Sequence, residues 1–100
     1  MLSPQHITKT LRQQYPYLTK TYGLKRIGVF GSYAKGFSHE QSDIDLVAEF
    51  ETPIGIKFVE FTEYLEHLFQ TSVDVLTPTG IQSIRNKRIA KDIQESILYV

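Results

Sequence analysis

The chain contains no cysteine. That absence removes disulfides, thiolate metal sites and cysteine nucleophiles together, and it fits a reducing compartment. Zinc is left without sulfur donors, and His6, His39 and His67 stand too far apart to form a local imidazole pair. A surplus of either charge is missing as well. Eleven basic residues balance eleven acidic ones, so no broad positive field draws nucleic acid or an anionic membrane. No apolar run approaches the length of a bilayer-spanning helix, and Met1 to Leu11 holds no signal-peptide core. A soluble cytoplasmic protein without membrane contacts is the expectation. Repeats and low-complexity segments are also absent. With 41% hydrophobic content over 100 residues there is material for one modest core, so residues 1–100 are expected to form one domain.

What is present is charge arranged locally. Glu49, Glu51, Glu60, Glu63 and Glu66 crowd the middle of the chain, and Arg85, Lys87, Arg88 and Lys91 cluster near its end. Each run reads as a solvated face. Ser3 followed by Pro4 starts a helix, because serine caps free amides and proline lacks only an N–H that has no partner there. The helix should reach about Tyr15, where Pro16 interrupts the pattern; a further helical turn through Leu18 and Tyr22 would precede Gly23.

Leu24 to Phe30 is β-branched and aromatic enough for a strand, ending at Gly31. A helical turn from Ser32 to Phe37 and a polar loop through Ser42 follow. Asp43 to Phe50 (DIDLVAEF) alternates, with Ile44 and Leu46 on one face and Asp43 and Asp45 on the other. Phe58, Phe61, Leu65 and Leu68 recur at helical spacing, with Glu60, Glu63 and Glu66 facing away, and this helix should run to about Gln70. Ser72 to Leu76 (SVDVL) is a third strand, with Asp74 opposite in face to Val73 and Val75. Ile81, Ile84, Ile89, Ile93 and Ile97 then mark one or two helices before an extended end at Leu98 to Val100.

Strands alternating with helices bring together a Gly-Ser after the first strand, two alternate aspartates on the second, and Asp74 on the third. Asp43 and Asp45 are close enough to share a cation, and two such anions do not both stay ionised cheaply without a positive partner. Asp74 joins them if its strand lies beside the second, which the intervening helix allows as a crossover. Carboxylate oxygens without sulfur or imidazole suit a hard ion, Mg²⁺ or Mn²⁺. In phosphoryl chemistry such clusters commonly hold two ions roughly 3.5 to 4 Å apart. Gly31 allows close backbone approach to a phosphate, and Ser32 adds a hydroxyl donor. Singly these features are ordinary, an Asp-x-Asp being a common strand edge and a Gly-Ser a common turn. Three acidic residues flanked by apolar ones in so short a chain are not what a purely structural sheet favours.

Gly31 and Ser32, ten residues, then Asp43, Ile44 and Asp45 resemble the signature of polymerase-β-type nucleotidyltransferases. SVDVLTP around Asp74 resembles the segment that carries their third acid. Within that superfamily the chain is similar to the minimal nucleotidyltransferases, which are paired as antitoxins with HEPN-domain ribonucleases. The resemblance implies an α/β (α+β) fold, a small mixed β-sheet with helices packed mainly on one face. It implies Asp43, Asp45 and Asp74 as catalytic residues and metal ligands, and Gly31, Ser32 and Lys35 as nucleotide contacts.

Mg²⁺ would be the cofactor, with Mn²⁺ as substitute, and ATP the substrate. AMP would pass to a hydroxyl, a tyrosine of a cognate HEPN toxin held in a hetero-oligomer. One departure is Lys35 where relatives often carry arginine in Gly-Ser-x-Ala-Arg-Gly, which keeps the charge and loses the bidentate fork. Two other readings stand beside this one: an antitoxin that neutralises by binding alone, and an aminoglycoside-type small-molecule nucleotidyltransferase.

Overall fold

The computed structural model describes residues 3–30 and 44–100. Its elements run α1 (Pro4–Tyr22), β1 (Leu24–Phe30), β2 (Ile44–Phe50), α2 (Lys57–Phe69), β3 (Val73–Leu76), α3 (Pro78–Gln82), α4 (Lys87–Glu95) and β4 (Leu98–Tyr99). The strands form one mixed sheet in the order β3-β2-β1-β4. β1 is antiparallel to β2 and β4, and β2 is parallel to β3. A parallel pair cannot be closed by a tight turn, so α2 serves as the crossover between β2 and β3.

Helix α1 starts as its sequence dictates, with the Ser3 hydroxyl accepting the His6 N–H at 3.0 Å. It does not stop at Tyr15. Pro16 lies inside one continuous helix that ends at Gly23, where φ is 72° and the glycine N–H returns to the Leu18 and Thr19 carbonyls. An interior proline costs about 3 kcal/mol. Continuing the helix buries Leu18 and Tyr22 in line with Ile7 and Leu11, and each large side chain so buried returns roughly 1.5–3 kcal/mol. Both Arg12, whose carbonyl loses its partner, and Pro16 are exposed, so water can take that place.

The main core lies between one sheet face and the helices α1 and α2. Ile27, Val29, Ile44, Leu46 and Val73 meet Ile7, Leu11, Leu18, Phe61, Leu65 and Phe69 there. Phe61 is fully buried, with ring centroids of Phe50 and Tyr22 at 5.1 and 5.4 Å, both edge-on. The other face carries a smaller cluster of Phe30, Val47, Ile81 and Ala90 under α3 and α4. The two long helices are thus on one face, and the two short ones part-cover the other.

Gly28 permits the close approach of the chain end to β1. A Cβ there would meet Ile97 Cγ2 at 2.6 Å and the Leu98 carbonyl oxygen at 3.0 Å. At the start of β1 the register shifts between Leu24 and Arg26, and the Tyr15 hydroxyl donates to the Lys25 carbonyl at that bulge.

Replacing Phe61 with Ala should cost about 3–5 kcal/mol of stability, read from urea unfolding, because the surrounding rings cannot collapse into the space. Alkaline pH gives a second check. Burial, then the neighbouring Tyr17, Glu60 and Tyr64, raise the Tyr22 phenol above its ordinary 10.0. The stability this represents is fully present below that value and is lost as pH rises through the folded-state one. Tyr22→Phe should therefore lose less stability than the parent chain between pH 9 and about 11.

Candidate active site

β2 and β3 lie in strict parallel register, with Ile44 opposite Val73, Asp45 opposite Asp74, Leu46 opposite Val75 and Val47 opposite Leu76. Registered neighbours of a parallel pair project from the same face, and adjacent strands are ~4.8 Å apart. Ile44, Leu46 and Val73 are committed to the main core, so the alternation sends Asp45 and Asp74 to the opposite face together. Asp45 is half-buried and Asp74 exposed. On its other side Asp45 is paired with Phe30, the last residue of β1. One end of the sheet therefore gathers the close of β1 and the openings of β2 and β3.

Asp45 and Asp74 are thus brought together. Asp43, Gly31, Ser32 and Lys35 lie outside the described residues, as do His39 and the turn and loop expected between Ser32 and Ser42. Phe30 and Ile44, which adjoin Gly31 and Asp43 in the chain, are buried at this same end of the sheet.

The donor set fits a hard divalent ion. Two acids occupy registered positions on the same face of adjacent strands, one of them exposed, with no competing sulfur or imidazole among the described neighbours on the sheet. Like charges placed directly opposite are destabilising, and a shared cation removes that penalty.

Two clefts are lined by described residues away from this pair. One cleft is bounded by Glu49, Phe50, Pro53, Thr77 and Thr79, and another by Arg26, Glu49, Gln82, Gln94 and Tyr99. Both reach Glu49, toward the far end of β2, which is paired with Lys25 at 3.5 Å and Arg26 at 3.7 Å. Neither includes Asp45 or Asp74.

One contact corrects the sequence pattern. Glu66 was expected to face away with Glu60 and Glu63, yet it is half-buried and its Oε2 accepts the Val73 N–H at 3.2 Å. Helical periodicity could not reveal this, because the partner belongs to the next element. The one local signal is an acid in the last turn of a helix that leads into a strand through a very short connection.

The sequence pattern of the nucleotidyltransferase domain family matches residues 7–100. The protein adenylyltransferase MntA of Thermococcus cleftensis is 37% identical over 101 residues, covering 100% of this chain and 98% of that relative. A crystal structure of a toxin–antitoxin with AMP-PNP superposes with a TM-score of 0.63 at 25% identity, over 98% of this chain and 72% of the other. The structure of a tri-AMPylated Shewanella oneidensis HEPN toxin in complex with MNT antitoxin shares the fold, with a TM-score of 0.53 at 22% identity over 96% of this chain and 66% of the matched one.

Asp74→Asn tests the paired carboxylates without reference to catalysis. In buffer free of divalent ions the variant should be as stable as the parent or up to about 1 kcal/mol more stable, since repulsion is relieved. Added Mg²⁺ alone should raise the melting temperature of the parent more than that of the variant, as differential scanning fluorimetry would record.

Proposed function

The chain belongs to the nucleotidyltransferase domain family, and from that premise we propose that residues 1–100 act as one adenylyltransferase domain that moves AMP from ATP to a tyrosine hydroxyl of a HEPN toxin, serving as its antitoxin. The observation that carries the reading is the registered pair Asp45 and Asp74 on adjacent strands of the sheet. Support for the acceptor comes from the end-to-end match to a protein adenylyltransferase and from the likeness to a toxin–antitoxin with bound AMP-PNP. The exposure of Asp74 agrees with an acceptor presented by a protein partner. A cytoplasmic setting follows from the use of ATP, and no helix among the described residues is long and apolar enough to cross a membrane.

Asp43, Asp45 and Asp74 would hold Mg²⁺, or Mn²⁺ in its stead, through carboxylate oxygens. Such an ion, when bound, supplies positive charge that offsets the charge gathering on the triphosphate during transfer. Gly31 and Ser32 take phosphate oxygens with backbone amides and the Ser32 hydroxyl, and Lys35 adds a cation at the same group. Asp74, the more exposed of the described pair, accepts the proton of the acceptor hydroxyl as its oxygen attacks the α-phosphorus. Pyrophosphate leaves in line. The balanced charge of the chain, eleven basic against eleven acidic residues, agrees with a protein acceptor and not with a nucleic acid.

Changing Asp43 and Asp45 together to Asn should abolish transfer of label from α-³²P-ATP to the HEPN partner while circular dichroism stays unchanged. Asp74→Asn should lower kcat by about 10²-fold or more and alter the KM for ATP little, because a proton acceptor is lost and the phosphate contacts remain. A doubly substituted protein that still labels its partner at the parental rate would refute the assignment. If the inactive variant also protected cells from the toxin in full, neutralisation by binding alone would replace neutralisation by modification.

A further inference from the structure

We infer that Glu66 is a positioning residue for Asp74, holding the start of β3 so that this carboxylate stays in register with Asp45. The inference rests on the proposed role of Asp74 in transfer.

β3 is an edge strand with one bonded side. Ile44 donates its N–H to the Ser72 carbonyl at 3.1 Å, which places the inner side of the strand against β2. In a parallel ladder alternate residues turn their backbone groups outward, and the outward N–H here is that of Val73, the residue directly before Asp74. Glu66 Oε2 accepts it at 3.2 Å. The same residue holds the other end of the turn. Its backbone carbonyl accepts the Gln70 N–H at 2.8 Å, and Gln70 stands in the left-handed region with φ of 59°, where the chain reverses out of α2.

Only Gln70, Thr71 and Ser72 separate α2 from β3. Glu66 therefore spans this connection with two bonds, one from its backbone and one from its side chain. Packing fixes the frame around it: Leu65 and Phe69 of α2 are buried in the same core as Val73. With the frame set by apolar contacts, the side-chain bond governs the last few tenths of an ångström of β3, and the strand is only four residues long. A short edge strand has few ladder bonds to correct a slip. Reacting groups are sensitive to small displacements, since a misplacement of about 1 Å can cost 10²-fold in rate.

Three variants and two readouts test the clamp in the full chain. Glu66→Ala removes the acceptor, Glu66→Gln keeps an acceptor oxygen without the charge, and Glu63→Ala, exposed one turn earlier, serves as control. For Glu66→Ala the expected result is a fall in kcat for AMP transfer to the HEPN partner of about 10- to 100-fold. The KM for ATP should stay within about twofold, because the phosphate contacts are not touched. Glu66→Gln should recover most of the loss, and Glu63→Ala should match the parent. Amide hydrogen exchange supplies the second readout: Val73 and Asp74 should exchange faster in Glu66→Ala and at the parental rate in the other two.

An unchanged kcat in Glu66→Ala, equal damage from Ala and Gln, or unaltered exchange at Val73 would each overturn the inference. If the parent chain transferred no AMP at all, the functional reading would fail on its own, and the exchange rates would still decide whether Glu66 holds β3.

Discussion

Two carboxylates of like charge, Asp45 and Asp74, stand opposite one another on adjacent strands. A sheet left to its own stability would not place them so, because repulsion across a registered pair is a net cost. The arrangement persists because apolar burial overrules it. Ile44, Leu46 and Val73 alternate with the acids and are locked into the main core, and turning the acids away would expose that set. The same alternation that builds the hydrophobic face therefore holds the charged pair on the other.

The distribution of helices follows from this division. α1 and α2 take the apolar face, where Phe61 and Leu65 complete the core. α3 and α4 cover the second face only from Phe30 and Val47, through Ile81 and Ala90. Asp45 remains half-buried beside that cover, and Asp74 is open. Firm packing thus lies behind the pair, on the apolar face. The clefts at the other end of β2 are concave but lack both acids.

Much of this was legible in the residues. Period-two alternation in IDLVAEF and SVDVL gave the faces of Asp45 and Asp74, and the apolar helix between them announced the parallel crossover. Leu98 and Tyr99 were read as a final extended piece, and they add β4 to the edge beside β1. Pro16 was misleading because local propensity sees only the lost backbone bond, whereas Leu18 and Tyr22 gain burial that exists only once the sheet is in place. Glu66 was misread for a related reason. Helical spacing assigns a residue to a face of its own helix and says nothing of a strand that returns beside it.

The central claim is that Asp45 and Asp74 share one divalent ion. Crystals of the chain grown with Mn²⁺ and AMP-PNP, measured at the manganese absorption edge, test it most directly. An anomalous peak is expected within coordination distance of carboxylate oxygens from both residues and of the triphosphate. Manganese bound to the nucleotide while Asp74 points elsewhere, or held at the Glu49 end of β2, would contradict it.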